Sequence, residues 1–193
     1  MGRVCVFCGS ATGNRPIYRQ AAAEMGAALA RNQIGLVYGG GHIGLMGVLA
    51  DAVLSAGGEV AGVIPQSLVD RELAHGGLTQ LHVVGSMHER KALMADLADG
   101  FVALPGAFGT ADELFEILTW SQLGLHAKPV GLLNVARYFS SLLGWLDHAV
   151  AEGFLQTPHR NLLMAADSAE ELLERMRSRP PRSATPRARG GTP

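Results

Sequence analysis

This sequence contains few cysteines and has no large excess of positive or negative charge. Cys5 and Cys8 are the only cysteines among 193 residues, which excludes a disulfide framework, and the 7 histidines are not spaced as zinc ligands. Lys and Arg number 16 against 17 Asp and Glu, so the formal net charge of −1 gives no general attraction to nucleic acid or to an anionic membrane. Any anion-binding site must therefore be local, and we expect no metal site.

Long apolar runs are also missing. The chain has no stretch of about 18 apolar residues that could cross a membrane. Its first residues, MGRVCVFCGS, pass directly into a strand-like segment and do not resemble a secretory signal. Together with the low cysteine content, these features favour a cytoplasmic protein with no membrane or nucleic-acid partner.

Glycine and apolar residues, by contrast, are abundant. The chain has 25 glycines and is 48% hydrophobic, and its length fits one domain. Apolar, β-branched runs alternate with glycine turns and with segments of helical spacing, which predicts an α/β fold. We expect a Rossmann-like, doubly wound parallel sheet with helices on both faces over residues 1–177. Residues 178–193, rich in Arg and Pro and almost without apolar residues, predict a disordered tail.

The periodicity gives the approximate bounds of each element. Predicted strands cover 3–7, 35–38, 59–64, 81–84, 101–104, 130–134 and 162–165. Predicted helices cover 16–31, 44–55, 86–98, 110–122, 138–152 and 168–177. Residues 66–80 are polar and predict an irregular loop or short helix that could cover a site. Capping boxes are predicted at Ser86 with Glu89 and at Thr110 with Glu113.

Three of the predicted strand-to-helix turns are rich in glycine. They are CGSATG at 8–13, YGGGHIG at 38–44 and LPGAFGT at 104–110. A helix N-terminus offers unpaired N–H groups, and glycine lets a phosphate approach the backbone closely. Ligands of open parallel sheets lie beyond the carboxyl ends of the strands, so these turns predict phosphate binding, with the first and third turns as walls of a pocket.

Two common nucleotide motifs do not fit. The dinucleotide fingerprint is matched loosely by Gly39, Gly41 and Gly44, but no acidic residue ends the next strand to hold a ribose diol. The phosphate-loop motif that ends in Gly-Lys-Ser/Thr is absent, which argues against a nucleoside triphosphatase.

Charged residues near two predicted helix starts are the candidates for chemistry. Arg90 and Lys91 lie where the helix macrodipole disfavours cations, so they are either solvated surface charges or partners of a bound anion. Glu113 follows the third glycine turn and is either a capping residue or a carboxylate within reach of a bound sugar phosphate. Its neighbours Asp112 and Glu116 could raise its pKa. The residues alone predict a nucleotide-phosphate binder and leave catalysis open.

Three segments stand out in combination: YGGGHIGLMG, MHERKALM and LPGAFGTADELFEILTWSQLGLHAKPVGLLN. Together they resemble the LONELY GUY (LOG) family, whose members are often labelled lysine decarboxylases in error, and the resemblance covers residues 3–177. It implies a homodimeric cytokinin riboside 5′-monophosphate phosphoribohydrolase without an organic cofactor. Such an enzyme splits an N6-modified or plain adenosine 5′-monophosphate into free base and ribose 5-phosphate. Nothing in the sequence argues for a pyridoxal phosphate site.

The resemblance also assigns roles to residues. It implies that Arg90 and Glu113 are catalytic, with Arg90 anchoring the phosphate or polarising the leaving group and Glu113 stabilising charge on the sugar or activating water. The expected substrate-binding residues are Ser10, Gly41, Glu72, Met87, Lys91, Gly106, Ala107, Phe108, Gly109, Thr110 and Thr119. Ala107 stands where the family has a second glycine. If that position needs a positive φ, alanine costs about 1–2 kcal/mol.

Two alternatives to this function remain open at this point. One is an AMP nucleosidase with little preference for cytokinin nucleotides. The other is a non-enzymatic carrier of a nucleotide or of a phosphorylated pterin such as the molybdenum cofactor.

Overall fold

The computed structural model describes residues 1–70 and 74–179. Over these ranges the chain forms seven strands, eight α-helices and one 3₁₀ turn at Val135–Arg137. The strands are β1 Arg3–Phe7, β2 Gly35–Tyr38, β3 Val60–Pro65, β4 Gln80–Val84, β5 Gly100–Ala103, β6 Val130–Leu133 and β7 Leu163–Ala166. The helices are α1 Pro16–Arg31, α2 Gly44–Ser55, α3 Gln66–Val69, α4 Met87–Leu97, α5 Phe108–Gln122, α6 Ser140–Ala151, α7 Thr157–Arg160 and α8 Ala169–Ser178.

All seven strands belong to one parallel sheet with the order β4-β3-β2-β1-β5-β6-β7. The chain winds from β1 outward to β4, returns through α4 to the other side of β1, and winds outward again through β5, β6 and β7. The direction of winding therefore changes between β1 and β5, which is where open α/β sheets bind their ligands. This arrangement confirms the predicted doubly wound sheet.

Helices cover both faces of the sheet. On one face α1, α2 and α8 bury residues such as Met25, Leu49 and Leu172, and on the other α4, α5 and α6 bury residues such as Met94 and Leu114. Strand β1 contributes to both clusters in alternation: Val4 and Val6 to the first, Cys5 and Phe7 to the second. Burial on both sides explains why the central strands are continuously apolar.

The predicted bounds hold to within one or two residues for most elements, with two differences. The short helix α7 was not predicted, since its four residues are too few for a periodic signal. Helix α5 begins at Phe108, before the predicted start, and its N-cap residue Ala107 makes no side-chain capping bond. The predicted capping box of Thr110 and Glu113 is therefore wrong, because both residues lie inside the helix.

The other predicted cap forms as a variant of the expected box. The Ser86 hydroxyl accepts a hydrogen bond from the Glu89 N–H at 3.2 Å, and the Glu89 carboxylate accepts one from the Gly85 N–H at 2.8 Å. Helix α4, which carries Arg90, thus has a well-defined first turn.

The C-terminal end of the described chain is hydrogen-bonded to the loop that precedes β7. Ser178 ends α8, and the Arg179 guanidinium donates to the carbonyls of Leu162 and Asn161. Apart from these two residues, the predicted tail lies outside the described residues. In the described ranges, none of the helices combines the length and apolar character needed to cross a membrane.

Candidate active site

A cavity of ≈ 380 Å³ lies beyond the carboxyl ends of β1 and β5. Its walls are the first glycine turn, 8–13, and residues 105–107, 109 and 110 of the third, with helix α4 contributing Met87 and Arg90 and helix α5 contributing Glu113. Apolar side chains of Leu45, Met46 and Leu68 line the same space. The cavity thus combines backbone-rich walls, an apolar side and one pair of opposite charges.

Backbone hydrogen bonds hold the two glycine turns together. The Gly9 N–H donates to the Pro105 carbonyl at 3.0 Å, which joins the first turn to the third, and the Leu45 N–H donates to the Gly9 carbonyl at 3.0 Å, which joins the first turn to α2. A Cβ atom at Gly106 would lie 2.1 Å from the Thr110 hydroxyl oxygen and 2.9 Å from the Gly9 nitrogen. Only glycine allows the turns to approach this closely.

Arg90 and Glu113 form a buried ion pair in the cavity. Arg90 Nη1 donates to Glu113 Oε1 at 2.7 Å, and the two side chains are only 10% and 11% exposed. Arg90 Nε donates in addition to the Val63 carbonyl of β3 at 3.1 Å. The guanidinium is therefore fixed in place by two bonds, and it fixes the carboxylate in turn.

The second glycine turn makes room for Arg90. A Cβ atom at Gly39 would lie 2.1 Å from Arg90 Nη2. Gly41, which was expected to bind substrate, does not line the cavity; it forms an isolated bridge with Ala74, and the neighbouring Gly40 carbonyl accepts from the His75 N–H at 2.9 Å. This turn thus supports the arginine and anchors the segment that follows β3.

Burial is the largest influence on the pKa of Glu113. Removal from water raises the pKa of its carboxyl above the usual value of 4.5, the nearby Arg90 opposes this shift without cancelling it, and the charge of Asp112 adds to it. A carboxylate with a raised pKa beside a cation is typical of groups that take part in proton transfer or charge stabilisation.

The expected site residues fall into two groups. Those that line the cavity are Ser10, Met87, Arg90, Gly106, Ala107, Gly109, Thr110 and Glu113. Those that do not are Gly41, Lys91, Phe108 and Thr119, while Glu72 lies outside the described residues.

Each of the three remaining side chains outside the cavity has another environment. Lys91 Nζ lies 3.3 Å from Asp112 and 3.1 Å from Glu116 on α5. Burial alone would lower the pKa of Lys91, but its hydrogen bonds to these carboxylates outweigh burial and raise it. Phe108 is 94% exposed, and the Thr119 hydroxyl donates to the Phe115 carbonyl at 2.7 Å beside a second cavity.

Ala107 adopts a φ of −113°. The condition under which alanine would be penalised is therefore not met, because the backbone does not enter the left-handed region. The methyl group lies on the cavity wall without that cost.

Sequence reasoning missed two aromatic residues of the cavity, Tyr18 and Tyr138. Tyr18 lies in the first turn of α1, and Tyr138 follows β6; their rings meet edge to face at 5.5 Å between centroids. Their place after β1 and β6 was a usable signal, because loops that follow parallel strands gather at the same edge of the sheet. In the described ranges, no three His, Cys, Asp or Glu side chains cluster as metal ligands.

Comparison with known proteins identifies the family to which the chain belongs. Residues 46–176 match the family model described as "Possible lysine decarboxylase". The chain is 49% identical over 180 residues to cytokinin riboside 5′-monophosphate phosphoribohydrolase LOG1 of Arabidopsis thaliana, covering 93% of this chain and 84% of that protein. It is 52% identical over 174 residues to the probable phosphoribohydrolase LOGL9 of Oryza sativa subsp. japonica, covering 90% of this chain and 77% of that protein.

A solved structure shares the fold at lower identity. The molybdenum cofactor binding protein of Rippkaea orientalis superposes with a TM-score of 0.70 at 22% identity, covering 92% of this chain and 96% of that one. This likeness shows a common fold and nothing about the ligand. The match to the family model and the identity to its plant members, each over most of the chain, show that the chain belongs to the LOG family of cytokinin riboside 5′-monophosphate phosphoribohydrolases.

Proposed function

We propose that this protein hydrolyses the N-glycosidic bond of adenosine 5′-monophosphates, including those with an N6 substituent, and releases the free base and ribose 5-phosphate. The observation that carries the proposal is the buried Arg90–Glu113 pair inside a cavity walled by two glycine turns. The two plant relatives, whose sequences are 49% and 52% identical to this chain, are named for this reaction on cytokinin nucleotides.

The third glycine turn and the N-terminus of α5 would hold the 5′-phosphate. Helix α5 has 15 residues, no side-chain cap and no acidic residue in its first turn. The first N–H groups of an α-helix have no partner within the helix, and the macrodipole favours an anion beside them. The amides of residues 106–110 are the expected phosphate ligands.

Glu113 would act on the sugar. When the bond between C1′ and the base breaks, its electron pair leaves with the base and positive charge develops on the ribose. An ionised carboxylate beside the sugar stabilises that charge, or takes a proton from the water whose oxygen bonds to C1′, while the departing base gains a proton. Arg90 holds the carboxylate in position and lines the same cavity, where it would contact the phosphate or the base.

Release of free base is the direct test. Incubation with AMP and with its N6-isopentenyl analogue, followed by chromatography of the products, should show base and ribose 5-phosphate in equal amounts. The ratio of the two turnover rates gives the base preference. Retention of intact nucleotide without any base release would contradict the proposal and favour a carrier of phosphorylated ligands.

The pH dependence should report the environment of Glu113. Glu113 acts ionised, so activity falls as the pH drops through its pKa, and this fall begins at a higher pH than for an ordinary glutamate. Asp112→Asn removes a charge that raises this pKa. We expect the acid limb of kcat/KM to move to lower pH in the variant, measured by base release from AMP between about pH 4 and pH 8.

The matching control for this measurement is Asp167→Asn, which neutralises an exposed aspartate that follows β7. Its profile should coincide with that of the parent protein. An acid limb that stays in place in Asp112→Asn would mean that a group other than Glu113 sets it.

We also propose that the protein is a cytoplasmic homodimer, with the end of α5 and the outer side of α6 as the contact. Leu123, Leu125, Trp145 and Phe154 are between 56% and 90% exposed, and Trp145 and Phe154 line a cavity of ≈ 230 Å³ together with residues of α5 and α6. A second copy would remove these side chains from water. Trp145→Glu should convert the dimer to a monomer in light scattering, and an unchanged mass would contradict this contact.

A further inference from the structure

Tyr138 ties the loop after β6 to the third glycine turn. Its hydroxyl donates a hydrogen bond to the Gly106 carbonyl at 2.6 Å, across 32 residues of sequence. The ring packs edge to face against Tyr18 at 5.5 Å and against Phe139 at 4.8 Å. The hydroxyl thus reaches the turn from a ring that is itself held on two sides.

The backbone before Tyr138 adopts an unusual conformation. Ala136 and Arg137 have φ values of 50° and 61°, a region that residues other than glycine rarely enter. Asn134 holds this turn, because its N–H donates to the Ala166 carbonyl at 2.8 Å and its side-chain oxygen accepts from the Phe139 N–H at 2.8 Å. Such conformations persist only where the surroundings enforce them, and they concentrate at functional sites.

We propose that Tyr138 is a positioning residue that orients the phosphate-binding peptide between Gly106 and Ala107. In a trans peptide the carbonyl and the N–H point in opposite directions, so a fixed Gly106 carbonyl also fixes the Ala107 N–H. Without the hydroxyl, this peptide plane can rotate and its N–H is no longer held ready for an anion. The inference rests on the proposed function, since it assigns the residue to the phosphate end of that substrate.

The test is Tyr138→Phe, which removes one oxygen from a ring that is 42% exposed and leaves its packing intact. We expect KM for AMP to rise by about fivefold to tenfold, as for the loss of one hydrogen bond, with kcat within about twofold of the parent value. The dissociation constant of ribose 5-phosphate, measured by calorimetry, should rise by the same factor as KM.

Ser178→Ala is the matched control, because the Ser178 hydroxyl also donates to a backbone carbonyl, that of Glu174 at 2.6 Å, and does not line the cavity. It should change neither constant. A Tyr138→Phe variant whose KM and ribose 5-phosphate affinity equal those of the parent would overturn the inference, as would a fall in kcat with unchanged affinity. Absence of base release by the parent protein would overturn the proposed function instead, and the calorimetric comparison would still decide the role of Tyr138.

Discussion

Glu113→Gln should reduce the turnover of AMP by about 10³-fold. The substitution keeps the size of the side chain and removes its charge and its basicity. Because the Glu113 side chain is only 11% exposed, water cannot replace the lost charge at the sugar. The low local dielectric makes that charge worth more than it would be at the surface. The measurement is base release under saturating AMP, which reports kcat.

The same variant should also lose some stability. Arg90 keeps a carbonyl acceptor in glutamine but loses its counter-charge in a buried place, so we expect the free energy of unfolding to fall by about 1–3 kcal/mol. Glu116→Gln is the control on the same helix, since the Glu116 carboxylate faces Lys91 at 3.1 Å and does not line the cavity. Its kcat should stay within about twofold of the parent value. A Glu113→Gln protein with near-normal turnover would remove Glu113 from the mechanism.

Gly39→Ala should be nearly as damaging, although Gly39 does not line the cavity. The added methyl would lie 2.1 Å from Arg90 Nη2, far inside the contact distance of about 3.5 Å. The guanidinium must move, which breaks its bonds to Glu113 and to the Val63 carbonyl. We expect kcat/KM to fall by at least about 10²-fold and the free energy of unfolding to fall by about 3 kcal/mol.

Steady-state kinetics and chemical denaturation measure the two effects of this substitution. Gly76→Ala is the control, because a methyl at Gly76 meets nothing within 4 Å. It tests whether a glycine-to-alanine change in a loop is harmful where the new methyl meets no neighbouring atom. Retention of full activity by Gly39→Ala would show that the second glycine turn does not determine where Arg90 lies.

Hydrophobic periodicity and glycine turns are local signals, and they were sufficient to predict the strands and the longer helices, though not the short helix α7. The sequence was also sufficient to bring the first and third turns to one edge, since that follows from a parallel sheet. It failed at Thr110 and Glu113, where the spacing of a capping box is met but the helix begins earlier. The true partner of Glu113 lies 23 residues away, and a local pattern carries no information on such a contact.

The roles of Gly39 and Tyr138 could not be predicted from the sequence for the same reason. Gly39 belongs to a turn that resembles a phosphate cradle, and only the path of the Arg90 side chain shows that the missing Cβ makes room for a guanidinium. The bond from Tyr138 to Gly106 joins loops from different strands. Sequence periodicity predicts which segments form strands, but the distances between their loops depend on strand order and register, which it does not give.

The crossover helix α4 links the two sides of the active site through Arg90. It connects the edge strand β4 to the central strand β5, and its Arg90 bonds to β3 on one side of the switch point and to Glu113 of α5 on the other. The ion pair of Arg90 and Glu113 can therefore form only when the strands on both sides of the switch point are in place, so activity requires the complete sheet.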